Sequence, residues 1–115
     1  QAVAAYPVWF SEGMAQYWEM RLRGYVWQEG GDDWRQQPHS LRQLSREFSA
    51  LPENVVYQES LSLVRFLYEQ LGDGGMARFL QLMEQGQPFF SALEAVYGAP
   101  LLVLEADWKA WLMSN

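Results

Sequence analysis

The chain has 115 residues, half of them hydrophobic, and 14 acids against 8 bases give it a net charge of −6. That length holds one domain with a real core and not two, and the composition is that of a globular chain. With no Cys, one His, one Lys and no basic cluster, it excludes a disulfide scaffold, a thiolate metal site and a nucleic-acid footprint.

Gly and Pro punctuate the chain, and the stretches between carry apolar residues at intervals of three and four, which is helical spacing. The first helix is predicted from about Pro7 to Trp27, with Pro7 suited to a first turn. A second starts at Ser40, a candidate N-cap ahead of Leu41, Leu44 and Phe48. A third runs from Pro52 or Glu53 to Leu71 and stops at Gly72. A fourth begins at Asp73 and holds Phe79, Leu80 and Met83. The fifth spans Pro88 to Tyr97, ended by a left-handed cap at Gly98. The sixth starts at Pro100 and carries Leu104, Trp108, Trp111 and Leu112. No run alternates with period two. The expected fold is all-α, a compact bundle of about six helices in a single domain over residues 1–115. No apolar run reaches the ~18 residues of a membrane span, and the N-terminus QAVAAYPVWF lacks the basic start of a signal peptide.

The first helix has an unusual circumference. At about 100° per residue, Glu12, Gln16, Glu19 and Arg23 fall on one narrow line. Almost everything else from Trp9 to Leu22 is apolar or small, apart from Ser11 and Arg21. Such a helix is buried. Its polar line is therefore either the one solvated edge, the usual place for charged residues, or the wall of an internal polar site.

The segment WFSEGMAQYWE closely resembles the "WLNEGFAxYxE" segment of the gluzincin metallopeptidases, above all the aminopeptidase N type, and the "WLxEGLAxY" segment of smaller peptidase MA-like bacterial families. Trp9, Phe10, Glu12, Gly13, Met14, Ala15, Tyr17 and Glu19 stand at the family spacing. The resemblance implies that Glu12 is the third zinc ligand, after the two His of an HExxH motif on a preceding helix, and that Gly13 lets a neighbouring helix come close. Downstream, NVVYQESLSLVRFLYEQLGD resembles the helix that follows in these enzymes. Its opening Tyr, here Tyr57, is implied to hydrogen-bond the oxyanion in catalysis. Glu59 and Ser60 depart from the Lys and Gly of the aminopeptidase pattern. On the residues alone, Tyr57 shares a stripe with Leu61, Val64, Tyr68 and Leu71 and reads equally as core. The tail from Phe89 to Leu112 is similar to the closing helices of peptidase MA-like domains.

There is no HExxH. Catalytic zinc takes about three protein ligands and a water, and the general base of these enzymes lies in that same motif. The chain also begins without Met. It is therefore expected to be the C-terminal helical half of a zinc metallopeptidase, inactive by itself and without a zinc site of its own. Its partners are then the upstream HExxH-bearing segment and, in the parent protein, a peptide or protein substrate. The face left open by the missing helix, expected around Trp9, Gly13 and Met20, is to be covered by self-association or by residues 1–6. Bacterial relatives are often exported or membrane-tethered, which implies an extracytoplasmic setting.

Two other classes compete: a catalytically dead scaffold of the same fold, and a peptide- or carbohydrate-binding module built on the six Trp and six Tyr. His39, alone in a Pro-Ser context, reads as a solvated loop residue. Gly30 to Asp33 read as a solvated turn, since they lack the alternating oxygens of a calcium loop.

Overall fold

The computed structural model describes residues 6–24 and 31–114. Five α-helices follow in order: α1 (Val8–Arg23), α2 (Leu41–Arg46), α3 (Glu53–Glu84), α4 (Phe89–Tyr97) and α5 (Leu101–Ser114). Two short 3-10 turns flank α2, at Asp33–Gln36 and Phe48–Ala50. The described residues include no strand, so the all-α expectation holds.

Local chemistry sets the ends. α1 stops earlier than the spacing predicts, because Gly24 takes φ +70° and its N–H caps the carbonyl of Met20. A left-handed residue of this kind is a common helix terminator. The predicted continuation from Tyr25 to Trp27 lies outside the described residues. Ser40 caps α2 as expected, and the cap is reciprocal. Its Oγ accepts from the N–H of Gln43, whose side chain accepts from the N–H of Ser40. The predicted third and fourth helices form one continuous stretch, α3, broken at Gly72 by φ +71° and ψ 174°. A side chain would strain that conformation, so the single residue turns the chain. The second half can then place Met76, Phe79 and Met83 in the core.

α1 and α3 form the main contact. Gly13 faces the Ser60 carbonyl and Val64, Tyr17 stacks on Tyr68 with ring centroids 4.2 Å apart, and Arg21 reaches Asp73 at 3.1 Å. These contacts advance together along both helices, so the two run parallel. At the N-terminal end, Trp9, Phe10, Phe79 and Phe89 pack edge to face, the geometry aromatic quadrupoles favour. α5 closes the other side. Trp108 is fully buried and donates its Nε1 proton to Ser62 Oγ at 3.1 Å, while Trp111 meets Phe66 and bonds Glu69.

One expectation is corrected here. Trp9 and Gly13 do not flank an open face. Trp9 is fully buried, with its Nε1 donating to Ser45 Oγ of α2 at 3.0 Å, and Gly13 is covered by α3. Met20 is half-buried. Elements of this same chain already occupy that side. The outward face of α1 is instead Val8, Ser11, Ala15, Trp18 and Leu22, again at intervals of three and four. Residues 1–5 lie outside the described region. Tyr6 packs its ring on Phe10, with centroids 5.6 Å apart.

The Gly13 contact gives a direct test. Ala would gain up to about 1 kcal/mol of helix propensity over Gly. Its Cβ, however, would collide with the Ser60 carbonyl and a Val64 methyl, and a backbone oxygen within a helix has little room to yield. Overpacking of this kind costs about 1–3 kcal/mol. Gly13→Ala is therefore expected to lower the urea midpoint despite its better propensity; a raised midpoint would mean that the two helices separate easily.

Candidate functional site

The parallel packing of α1 on α3 brings the polar line of α1 to the start of α3. Gln16 donates from Nε2 to the main-chain carbonyl of Tyr57 at 2.8 Å. A carbonyl only accepts, so this bond fixes the amide orientation and turns Oε1 away. That oxygen is buried and has no hydrogen-bond partner among the described residues. One turn earlier on the same line lies Glu12, half-buried. Glu12 forms no hydrogen bond or ion pair among the described residues. The Gln16 oxygen is thus a buried acceptor without a donor, which is costly to leave unmet.

Tyr57 is the third member. Its ring is half-buried and lies against Phe48, with centroids 6.1 Å apart. The charge of Glu12, ahead of burial and the charge of Glu53, holds its hydroxyl above the ordinary value of 10. Glu12 and Tyr57 are thus within electrostatic reach of each other. At neutral pH a phenol keeps its proton in any case, so the shift widens a margin that already exists.

The helical fold and the motif WFSEGMAQYWE are matched by one comparison. A family model described as Peptidase MA superfamily matches residues 1–114. The chain belongs to the peptidase MA superfamily. No curated protein and no solved structure matches it.

For a peptidase MA chain the immediate question is the metal. A carboxylate such as Glu12 and an amide oxygen such as that of Gln16 are both donors of the kind a cation takes. Among the described residues no group of three His, Cys, Asp or Glu could hold a metal ion. Zinc takes about three protein ligands.

His39 requires a correction. It is half-buried, not solvated, because Glu59 needs it. The Glu59 carboxylate is fully buried within α3. It accepts the main-chain N–H of His39 at 2.6 Å and lies 2.9 Å from His39 Nδ1. Glu59 sits two residues beyond Tyr57 and so on another side of the helix, which keeps this pair apart from Glu12. The sequence carried a signal for it. Glu59 falls three residues after Val56 and four before Leu63, inside an apolar row where a carboxylate has to find a partner. Asp32 and Asp33 are exposed, and Asp32 lies 3.9 Å from the Arg35 side chain. Gly30 lies outside the described residues.

Burial raises the Glu59 carboxyl above its usual 4.5, and the bonds from His39 only partly offset it. The folded state therefore binds this proton more tightly than the unfolded chain does. The associated stability is full below about pH 4.5 and is lost as the pH rises through the raised folded value. Glu59→Gln cannot ionise. Urea denaturation from about pH 4 to about pH 8 should show a shallower fall in stability for the variant than for the native chain. Identical slopes would show that the carboxylate ionises at no cost.

Proposed function

We propose that this chain is the C-terminal helical half of a zinc metallopeptidase domain of the gluzincin, aminopeptidase N-like type. In this reading Glu12 is one zinc ligand and Tyr57 is a catalytic hydrogen-bond donor. The observation that supports it is the 2.8 Å bond from Gln16 to the Tyr57 carbonyl, which sets the polar line of Glu12 against the start of α3, where Tyr57 stands. The remaining ligands and the general base belong to an HExxH segment upstream of residue 1, so the chain is inactive without it. When bound, zinc supplies Lewis acidity and a water made nucleophilic at neutral pH.

The chain's own residues do the rest. Glu12 presents a carboxylate oxygen from a helix that cannot shift, since Gly13 locks it to α3. Gln16 ties that same turn to the Tyr57 carbonyl and so sets the distance between ligand and donor. Tyr57 keeps its proton at neutral pH, as a phenol with a pKa at or above 10 does. It can then give a hydrogen bond to the negative charge that develops on the carbonyl oxygen of a peptide, a form of stabilisation that acts mainly in the transition state.

In the parent protein Glu12→Ala should lose metal, as read by elemental analysis after dialysis. Full zinc occupancy with full activity would overturn the ligand assignment, and full occupancy without activity in the native parent would favour the scaffold reading.

Tyr57→Phe removes one hydroxyl and leaves the ring. Fold and metal content should survive while turnover falls roughly a hundredfold to a thousandfold, the usual effect of losing an oxyanion donor. Were Tyr57 only packing, the same change would cost about 1 kcal/mol of stability with turnover nearly intact, so a thermal melt beside a kinetic assay separates the two.

A further inference from the structure

The short helix α2 carries Arg42 and Arg46 one turn apart. Both are exposed, and neither forms an ion pair among the described residues. Arg65 and Arg78 likewise form no ion pair among the described residues, but neither lines this cavity. Arg21, Arg23, Arg35 and Lys109 each lie within ion-pair distance of an acid. The two arginines border a cavity of about 290 Å³ between α2, α4 and α5, walled by Leu41, Phe90, Leu101 and Leu102. Ser45 also lines it. Its Oγ accepts from Trp9, and its own proton has no acceptor among the described residues. Glu105 is the one acid in the wall, and it is already neutralised. One of its oxygens takes the Leu41 N–H at 2.8 Å and the other lies 3.3 Å from Lys109 Nζ.

The geometry points to a binding site for a carboxylate carried on a compact apolar group, with the C-terminal residue of a peptide as its occupant. Each part has its counterpart in the cavity. Guanidinium forks match a carboxylate and hold it through paired N–H bonds. Leucine and phenylalanine walls take an aliphatic side chain. The volume, about ten waters' worth, admits one residue and little more. An uncharged ligand would leave two guanidiniums unused, and a long chain would not fit. The site is separate from Glu12 and Tyr57 and stands whether or not they bind metal.

The test is a titration of the protein with N-acetyl-leucine, N-acetyl-leucinamide and octanoate, followed by backbone amide shifts and by calorimetry. N-acetyl-leucine should shift amides of α2 and the start of α5, and should bind at least tenfold more tightly than its amide. Arg42→Gln and Arg46→Gln should each weaken it about tenfold. Both side chains are exposed, so thermal melts of these variants should match the native protein. Leu102→Glu, at a position 81% exposed on the rim, should weaken it as well by placing a like charge at the mouth. Binding of octanoate tenfold tighter than N-acetyl-leucine would keep the carboxylate site but assign it to fatty acids. Equal binding of acid and amide, no shifts in α2 and α5, or full affinity in the Arg42 and Arg46 double variant would overturn the proposal.

Discussion

The close approach of α1 to α3 at Gly13 determines where everything else can go. A helix backbone set against another backbone leaves no thickness for side chains at that level, so the residues on either side are held at fixed offsets. Trp9 is pushed into the space bounded by α2 and Phe89, Tyr17 lies flat on Tyr68, and Gln16 meets the Tyr57 carbonyl. The relation between Glu12 and Tyr57 is a by-product of that packing. Neither residue is positioned by a dedicated bond to the other. Both ride on helices whose separation is set by one missing methyl group.

The polar groups inside this bundle do a second kind of work. α2 has only six residues, too few to be stable alone, and its apolar contribution is mainly Leu41 and Leu44. It is held by bonds from side chains elsewhere. Glu59 takes the N–H of His39, Glu105 takes that of Leu41, and Trp9 bonds Ser45. Two acids from α3 and α5 thus satisfy main-chain donors at the start of a helix, where negative charge is also favoured by the helix dipole.

Much of this was legible in the sequence, and what was not has physical causes. Spacing of three and four placed every helix, and the Ser40 cap and the Gly98 terminator were readable because each is set by its neighbours alone. Gly24 was passed over because the apolar pattern continues beyond it, and periodicity says nothing about a left-handed residue inside a run. The lining of the candidate site, Glu12 with Tyr57, came from motif spelling and not from periodicity, which made Tyr57 equally good as core. The outward face of α1 was misread for a related reason. Which side of a nearly all-apolar helix is covered depends on α2 and α3, and no local signal carries that. The His39–Glu59 pair needed knowledge that Glu59 points inward, which its place between Val56 and Leu63 hinted at and its charge obscured.

The separation of the two packed helices along the chain has a consequence for the order of assembly. α3 and α4 are joined by a short connection and meet through near neighbours in sequence, as at Phe79 and Phe89. The bonds that fix α1, by contrast, span 41 and 52 residues. Loop-closure entropy must be met before such distant contacts return anything. The second half of α3 with α4 therefore has a head start, and α1, like α5 with its bonds spanning 42 and 46 residues, docks onto a surface that is already there. The relation between Glu12 and Tyr57 comes into being only when α1 docks, and it goes when α1 leaves.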